Sequence, residues 1–295
     1  PRNVYLAGNG VGDVRIWNPG ASNGVLYLNM GDRNAERGLA EGADDELYTI
    51  ERVGADANGE IIRVVFSGRE TIFKGVKKVV AYGGEGDDHI YVKEGVTSEV
   101  EFHGGNGNDV FIYDGSGRAA LYGDAGDDYM ATGDNSTTAT LFGGDGIDYI
   151  VHNGRGAATI DGGEGGDKIF GSLGNDVIRG GGGDDDIDGR GGVDQMFGDA
   201  GNDLIHWDYA DLVLGTVDGG AGTDILEFIG TSGVDDFMIR SLGNNSFMVT
   251  NTKAGKVVGS ITAKNVEDLR LDARAGADHI TLDFMANSGL SFVAL

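Results

Sequence analysis

Residues 162–206 read GGEGGDKIF, GSLGNDVIR, GGGGDDDID, GRGGVDQMF and GDAGNDLIH, five nine-residue units in tandem starting at Gly162, Gly171, Gly180, Gly189 and Gly198. Each is G-x-x-G-x-D-x-U-x, where U is a large apolar residue. The unit recurs upstream at Gly83, Gly104, Gly123 and Gly143, and downstream at Gly219. Its sixth position is Asp88, Asp109, Asp128, Asp148, Asp167, Asp176, Asp185, Asp194, Asp203 and Asp224 in turn. The first six residues are too rich in Gly for helix or ordinary strand, because Gly loses the most freedom on ordering. They suit a turn in which some residues take φ > 0. The last three suit a very short strand, where successive side chains alternate faces. U is Ile90, Phe111, Met130, Ile150, Ile169, Ile178, Ile187, Met196, Ile205 or Leu226, so this position faces inward. A single coil cannot bury it, but stacked coils can.

Spacing sets the coil. Two units make 18 residues, turn–strand–turn–strand, and return the chain to the same side. The starts at 83, 104, 123, 143, 162, 180, 198 and 219 are separated by 21, 19, 20, 19, 18, 18 and 21 residues, one coil apart on one side. Those at 171 and 189 fall opposite. Elsewhere the opposite half-coil lacks the pattern yet keeps an apolar residue two before the next unit, at Phe102, Leu121, Leu141, Ile160 and Val217. Two inward ladders follow, with about 4.8 Å between coils. The expected fold is all-β, a right-handed parallel β-roll or β-helix solenoid over 83–228, with β-rich flanks over 1–82 and 229–295 acting as its caps.

The tandem nonapeptide resembles that of the repeats-in-toxin (RTX) family of secreted bacterial proteins, whose repeats bind Ca²⁺. The backbone gives a reason. In a nearly extended turn carbonyls alternate direction, so positions 1, 3 and 5 can face one neighbouring coil and positions 2, 4 and 6 the other. A hard cation that takes about six to eight oxygens fits between stacked turns. The resemblance implies the same arrangement, with carbonyls from both turns and the position-6 Asp. The candidate ligand positions on the longer edge begin with Gly83, Gly84, Glu85, Gly86, Asp87 and Asp88, then Gly104, Gly105, Asn106, Gly107, Asn108 and Asp109. Next come Gly123, Asp124, Ala125, Gly126, Asp127 and Asp128, then Gly143, Gly144, Asp145, Gly146 and Asp148. Gly162, Gly163, Glu164, Gly165 and Asp167 follow, with Gly180, Gly181, Gly182, Gly183, Asp184 and Asp185. The edge ends with Gly198, Asp199, Ala200, Gly201, Asn202 and Asp203, and with Gly220, Gly222 and Asp224. The opposite edge offers Gly171, Leu173, Asn175 and Asp176, and Gly189, Arg190, Gly192 and Asp194. Position 5 adds a side-chain oxygen at Asp87, Asn108, Asp127, Asn175, Asp184, Asn202 and Thr223, but not at Ile147, Gly166 or Val193. Up to seven gaps on one edge and at least one on the other imply about eight ions. The competing reading is a turn-rich solenoid whose Asp residues only hydrogen-bond backbone; it leaves a row of unneutralised carboxylates in mutual repulsion.

Composition agrees. Gly is 55 of 295 with no collagen period, far above the average of about 7 %. Formal charge is −26, from 22 Lys and Arg against 48 Asp and Glu. Without calcium such a chain is expanded by self-repulsion, so metal binding and folding form one event. The charge speaks against nucleic acid or an anionic membrane surface as partner. There is no Cys, hence no disulfide or thiolate metal site, and no apolar run approaches the length of a membrane span. The resemblance implies a secreted or cell-surface bacterial protein. Its chain stays unfolded in a low-calcium cytosol, leaves by a type I secretion system and folds outside as part of a larger parent protein.

The flanks differ in texture. Residues 4–17, 24–30, 46–50, 60–67 and 70–82 read as short strands, with Asp13, Asp44 and Asp45 as weaker candidates for further calcium. GTSGVDDFM (230–238) and ARAGADHIT (273–281) are weakened repeats that retain Asp235 and Asp278. KNVEDLRLDARAGADHI (264–280) aligns without a gap on KGVKKVVAYGGEGDDHI (74–90), so both ends of the roll carry a related shoulder. Within 83–161 the outward positions Tyr91, Val110, Ile112, Tyr129, Tyr149 and Val151 form an apolar stripe, covered by a flank or offered to a protein or glycan ligand. Catalytic constellations are absent. His89, His103, His152, His206 and His279 lie in no H-E-x-x-H motif, and no nucleotide-binding loop opens a helix. The expectation is therefore a non-enzymatic module. The alternatives are an adhesion module using the aromatic face, or an accessory module of a β-helix polysaccharide lyase or epimerase, for which Arg155, Lys168 and Arg179 are scattered cations.

Overall fold

The computed structural model describes residues 4–5, 15–16, 24–29, 47–66, 68–208, 215–283, 289–290 and 292–294. Asp13, Asp44, Asp45 and most of 4–17 lie outside these; of that stretch, Val4–Tyr5 and Arg15–Ile16 pair antiparallel. The fold is an all-β parallel solenoid with antiparallel flanking strands, and the chain divides into two compact units, Pro1–Arg155 and Gly156–Leu295.

In the first unit a long strand enters each repeat turn and a short one leaves it. The entering strands are Lys78–Glu85, Glu99–Asn106, Arg118–Ala125 and Thr138–Asp145, paired parallel in sequence order. The leaving strands are His89–Val92, Val110–Tyr113, Tyr129–Thr132 and Tyr149–His152, also parallel and in order, so that Ile90, Phe111, Met130 and Ile150 align. Irregular half-coil lengths thus leave register untouched. The extra residues fall between the sheets, while the period-2 alternation holds the apolar column inward. Leu47–Asp56, Gly59–Phe66 and Arg69–Val76 form an antiparallel meander whose first strand pairs parallel with His89–Val92. Its Glu60 is buried and accepts from Thr97 N (3.0 Å), Thr97 Oγ1 (2.9 Å), Ser98 N (2.8 Å) and Ser98 Oγ, with Arg52 Nε at 2.9 Å. A buried carboxylate is tolerable only when satisfied and paired in this way.

In the second unit Ala158–Glu164, Val177–Gly182, Gln195–Ala200, Gly215–Ala221 and Lys256–Lys264 form one parallel series. Lys168–Phe170, Asp186–Asp188, Leu204–Asp208, Ile225–Ile229, Asp268–Asp272 and Phe292–Ala294 form the other. Between two of its coils the chain makes an antiparallel excursion, Asp236–Gly243, Ser246–Lys253 and Lys256–Lys264, and Asp236–Gly243 also pairs parallel with His279–Asp283. The related shoulders agree locally: Gly75 (φ +74°) and Asn265 (φ +49°) share the left-handed conformation, and Val76 and Val266 after them are buried.

Every U residue is at most 1 % exposed, and Phe102, Leu121, Leu141, Ile160 and Val217 are buried as the second ladder. Each large side chain so buried contributes about 1.5–3 kcal/mol relative to exposure, set against the entropy of ordering a glycine-rich chain. Trp207, where the repeat pattern breaks, is fully buried; 209–214 are outside the described residues. The outward stripe is only partly exposed. Tyr129 and Tyr149 are exposed, Tyr91, Val110 and Ile112 are half-buried, and Val151 is buried. Among the described residues no helix is long and apolar enough to cross a membrane.

Candidate metal centres

The site begins with backbone conformation. Positions 2 and 4 of the turns take φ > 0, as at Gly84 (+107°) and Gly86 (+111°). Asp124 (+75°), Asp199 (+70°) and Arg190 (+64°) accept the same strain at position 2. Adjacent turns then approach so closely that a Cβ on Gly181 or Gly183 would overlap the carbonyl oxygen of Gly163 or Gly165 in the preceding turn. One on Gly162 would overlap both Gly180 O and Asp167 Oδ2. Carbonyls of positions 2 and 4 therefore point toward the next turn, and the position-1 carbonyl points back. The expected alternation holds for these three.

Three rows of hydrogen bonds knit the turns. The position-4 N–H donates to the position-3 carbonyl of the next turn, as in Gly86 N to Asn106 O (2.9 Å) and Gly183 N to Ala200 O (2.7 Å). The position-5 side chain accepts the next turn's position-5 N–H: Asn108 N to Asp87 Oδ1 (2.8 Å), Asp127 N to Asn108 Oδ1 (2.9 Å), Asn202 N to Asp184 Oδ1 (2.7 Å). These Asp and Asn side chains thus act as struts between coils, a task the sequence pattern alone did not reveal. It also accounts for Ile147, whose N–H donates to Asp127 Oδ1 while its own side chain offers nothing. The position-6 N–H donates to Oδ1 of the next repeat Asp. In the first unit these are Asp88 to Asp109 (2.7 Å), Asp109 to Asp128 (2.6 Å) and Asp128 to Asp148 (2.8 Å). In the second they are Asp167 to Asp185 (2.8 Å), Asp185 to Asp203 (2.9 Å), Asp203 to Asp224 (3.0 Å) and, on the opposite edge, Asp176 to Asp194 (2.7 Å). The row ends on a residue outside the repeats: Asp224 N donates to Glu267 Oε2 at 3.0 Å.

What these rows leave over is the site. Oδ2 of Asp109, Asp128, Asp185, Asp194, Asp203 and Asp224 is buried with no hydrogen-bond donor; at Asp109, Asp128, Asp185 and Asp203 the position-1 carbonyl of the next turn crowds the same glycine as this oxygen. Burial pushes these carboxyls up, Asp109, Asp185 and Asp194 to about 7, Asp128 to about 8, Asp148 and Asp203 to about 6. The N–H that each Oδ1 accepts pulls the other way, and neighbouring carboxylates push further up, as Asp109 and Asp148 do at Asp128. Buried, donorless carboxylate oxygens among carbonyl oxygens form an all-oxygen, negative set that suits a hard divalent cation. Among the described residues no three His, Cys, Asp or Glu side chains converge on one point.

Not every repeat Asp is open. Asp176 Oδ2 accepts from Ser172 N (2.8 Å) and lies 3.1 Å from Ser172 Oγ, and Asp235 is hydrogen-bonded through both oxygens. Leu173 is 68 % exposed. His89 and His279 are exposed as expected, whereas His206 bridges Glu227 and Asp186 at 2.9 Å each. A feature missed in the sequence is an outward ribbon on the entering strands of the first unit, Tyr82, His103, Tyr122 and Phe142. Its successive rings stack 5.0, 4.5 and 5.3 Å apart. Tyr129 and Tyr149 stack likewise at 5.4 Å. Rings so stacked turn their faces to each other and their edges outward.

A parallel solenoid with glycine turns, two apolar ladders and a buried carboxylate row between turns is the architecture of a calcium-binding β-roll. The family model for the RTX calcium-binding nonapeptide repeat matches four copies, at residues 79–96, 152–187, 161–196 and 170–205. The chain carries RTX calcium-binding nonapeptide repeats. No curated protein matches it.

Proposed function

We propose that 83–228 act as a calcium-loaded, non-enzymatic folding module, with 1–82 and 229–295 as its flanking caps. Ca²⁺ would lie in the gaps between successive turns of each unit. Its ligands would be carbonyls of positions 1, 2 and 4 and the repeat Asp residues, with Asp109, Asp128, Asp185 and Asp203 central. The ion supplies the positive charge that lets neighbouring carboxylates stay ionised in a buried stack. The observation that carries this reading is the row of Oδ2 atoms, buried and without donors, at Asp109, Asp128, Asp185, Asp194, Asp203 and Asp224. RTX repeats are typical of secreted bacterial proteins, which supports a place in a larger exported protein: unfolded where calcium is scarce, emerging by a type I route and folding where calcium is plentiful. Coupling of metal to folding follows because the donor set exists only once turns are stacked.

The test is a calcium titration of the chelated protein followed by circular dichroism, with bound metal counted by elemental analysis. Most of the strand signal should appear only with calcium, magnesium should fail to replace it because it demands a smaller octahedral shell, and several ions should bind per chain. Chelated protein that retains full strand signal, or loaded protein without stoichiometric calcium, would refute the proposal.

A further inference from the structure

Two repeat turns are built differently from the rest. In an open turn the residue four before the Asp takes φ > 0, as do Gly181 (+115°) and Arg190 (+64°), and Asp185 and Asp194 keep Oδ2 without a donor. Four before Asp176 stands Ser172, and four before Asp235 stands Thr231; neither is among the residues with φ > 0. Ser172 N donates to Asp176 Oδ2 (2.8 Å). Ser172 Oγ lies 3.1 Å from the same oxygen and 3.2 Å from Gly156 O, and accepts Gly174 N (2.9 Å). Thr231 repeats the pattern. Its N donates to Asp235 Oδ2 (2.9 Å), its Oγ1 lies 2.9 Å from both carboxylate oxygens, and Oγ1 accepts Gly233 N (3.2 Å). Lys253 Nζ donates to that hydroxyl (3.1 Å) and Asn251 Nδ2 to Asp235 Oδ1 (3.0 Å). The shared sequence is [Ser/Thr]-x-Gly-x-Asp. In both turns a hydroxyl and an amide hold the carboxylate oxygen that the open turns leave over.

We infer that the turns closed by Ser172 and Thr231 take no calcium at their Asp and stay ordered without it, as metal-independent seeds within a metal-dependent roll. This rests on the calcium reading of the open turns. A cation reaching Asp176 would have to displace charge-assisted hydrogen bonds that are already formed. The close approach of neighbouring turns is present there. A Cβ on Gly171 would meet Gly189 O and Asp176 Oδ2, and one on Gly192 would overlap Gly174 O, as in the open turns. Two features separate this turn from an open one: Ser172, and a Gly174 that is not among the residues with φ > 0.

The test uses the full chain, with hydrogen exchange read in chelator and bound calcium counted after loading. In chelator the amides of 172–176 and 231–235 should exchange at least tenfold more slowly than those of 104–109 and 180–185. Ser172→Gly should abolish that protection at 172–176 and raise the ion count by one, while Ser172→Thr should match the wild type in both. Exchange at 172–176 as fast as at 180–185 overturns the inference, as does an unchanged ion count in Ser172→Gly. Asp185→Asn separates the two levels of argument. If it lowers the count while Ser172→Gly leaves it unchanged, only the closed-turn inference fails. A wild type that binds no calcium sinks both.

Discussion

At the residue scale the proposed site gives the repeat Asp two separable jobs. Oδ1 accepts the N–H of the preceding repeat Asp, a structural bond that an amide oxygen can also make; Oδ2 carries the charge a cation needs. Asp128→Asn keeps the first and removes the second. Because burial pushes Asp128 up to about 8, the amide should leave more residual strand signal in chelator than the wild type shows. In calcium the order reverses. Losing a charged partner costs about 1.5–3 kcal/mol, so the calcium midpoint should rise roughly tenfold to a hundredfold, read by dichroism with and without metal. The sequence made these Asp residues legible because their spacing repeats. It hid Glu267, which ends the row from within KNVEDL, because the hydrogen bond needs only a carboxylate at the right height, and a longer arm from a turn without the glycine pattern reaches it. It hid Ser172 too, since one hydroxyl among nine positions reads as ordinary variation until its distance to Asp176 is known.

At the scale of the element, the turns are limited by close approach as much as by φ. Gly95 (φ +91°) has nothing within 4 Å of where a Cβ would be, whereas a Cβ on Gly105 (φ +110°) would overlap Gly84 O. Gly95→Ala should cost only backbone strain, about 1–3 kcal/mol. Gly105→Ala should cost more and should also weaken calcium binding, since it pushes on a carbonyl facing the gap. Melting curves and calcium titrations of the two variants check both points; equal calcium midpoints would argue that the position-2 carbonyl is not a ligand. The strands leaving each turn were legible from the U column. The aromatic ribbon Tyr82–His103–Tyr122–Phe142 was not, because its members sit in half-coils of uneven length and align only once register is known. The antiparallel excursion over 236–264 was legible as strands, but its insertion between two coils follows from long-range pairing that no local pattern records.

At the scale of the molecule the carboxylate rows govern pH response. The folded carboxyls titrate near 6 to 8, above the ordinary value of 3.8 that holds when the chain is unfolded. A group raised in this direction contributes its stability fully below the unfolded value and loses it as pH rises through the folded one. In chelator, therefore, the residual strand signal should fall between pH 5 and 8. In calcium the midpoint concentration should instead rise on acidification, because protons and metal compete for the same oxygens. Dichroism in chelator and calcium titrations at constant ionic strength across that range test both signs; parallel trends with and without metal would contradict the shared site.

The coil repeat has a consequence for how such a chain changes over generations. Ile178 pairs with Met196 and Gly181 with Asp199, so excising 180–197 would join Arg179 to Gly198 and bring each following strand onto the partner its predecessor had. No side chain would change face. Duplication or loss of one coil in the reading frame is thereby close to neutral for folding, and the chain can lengthen or shorten its ion store in whole steps while selection acts elsewhere.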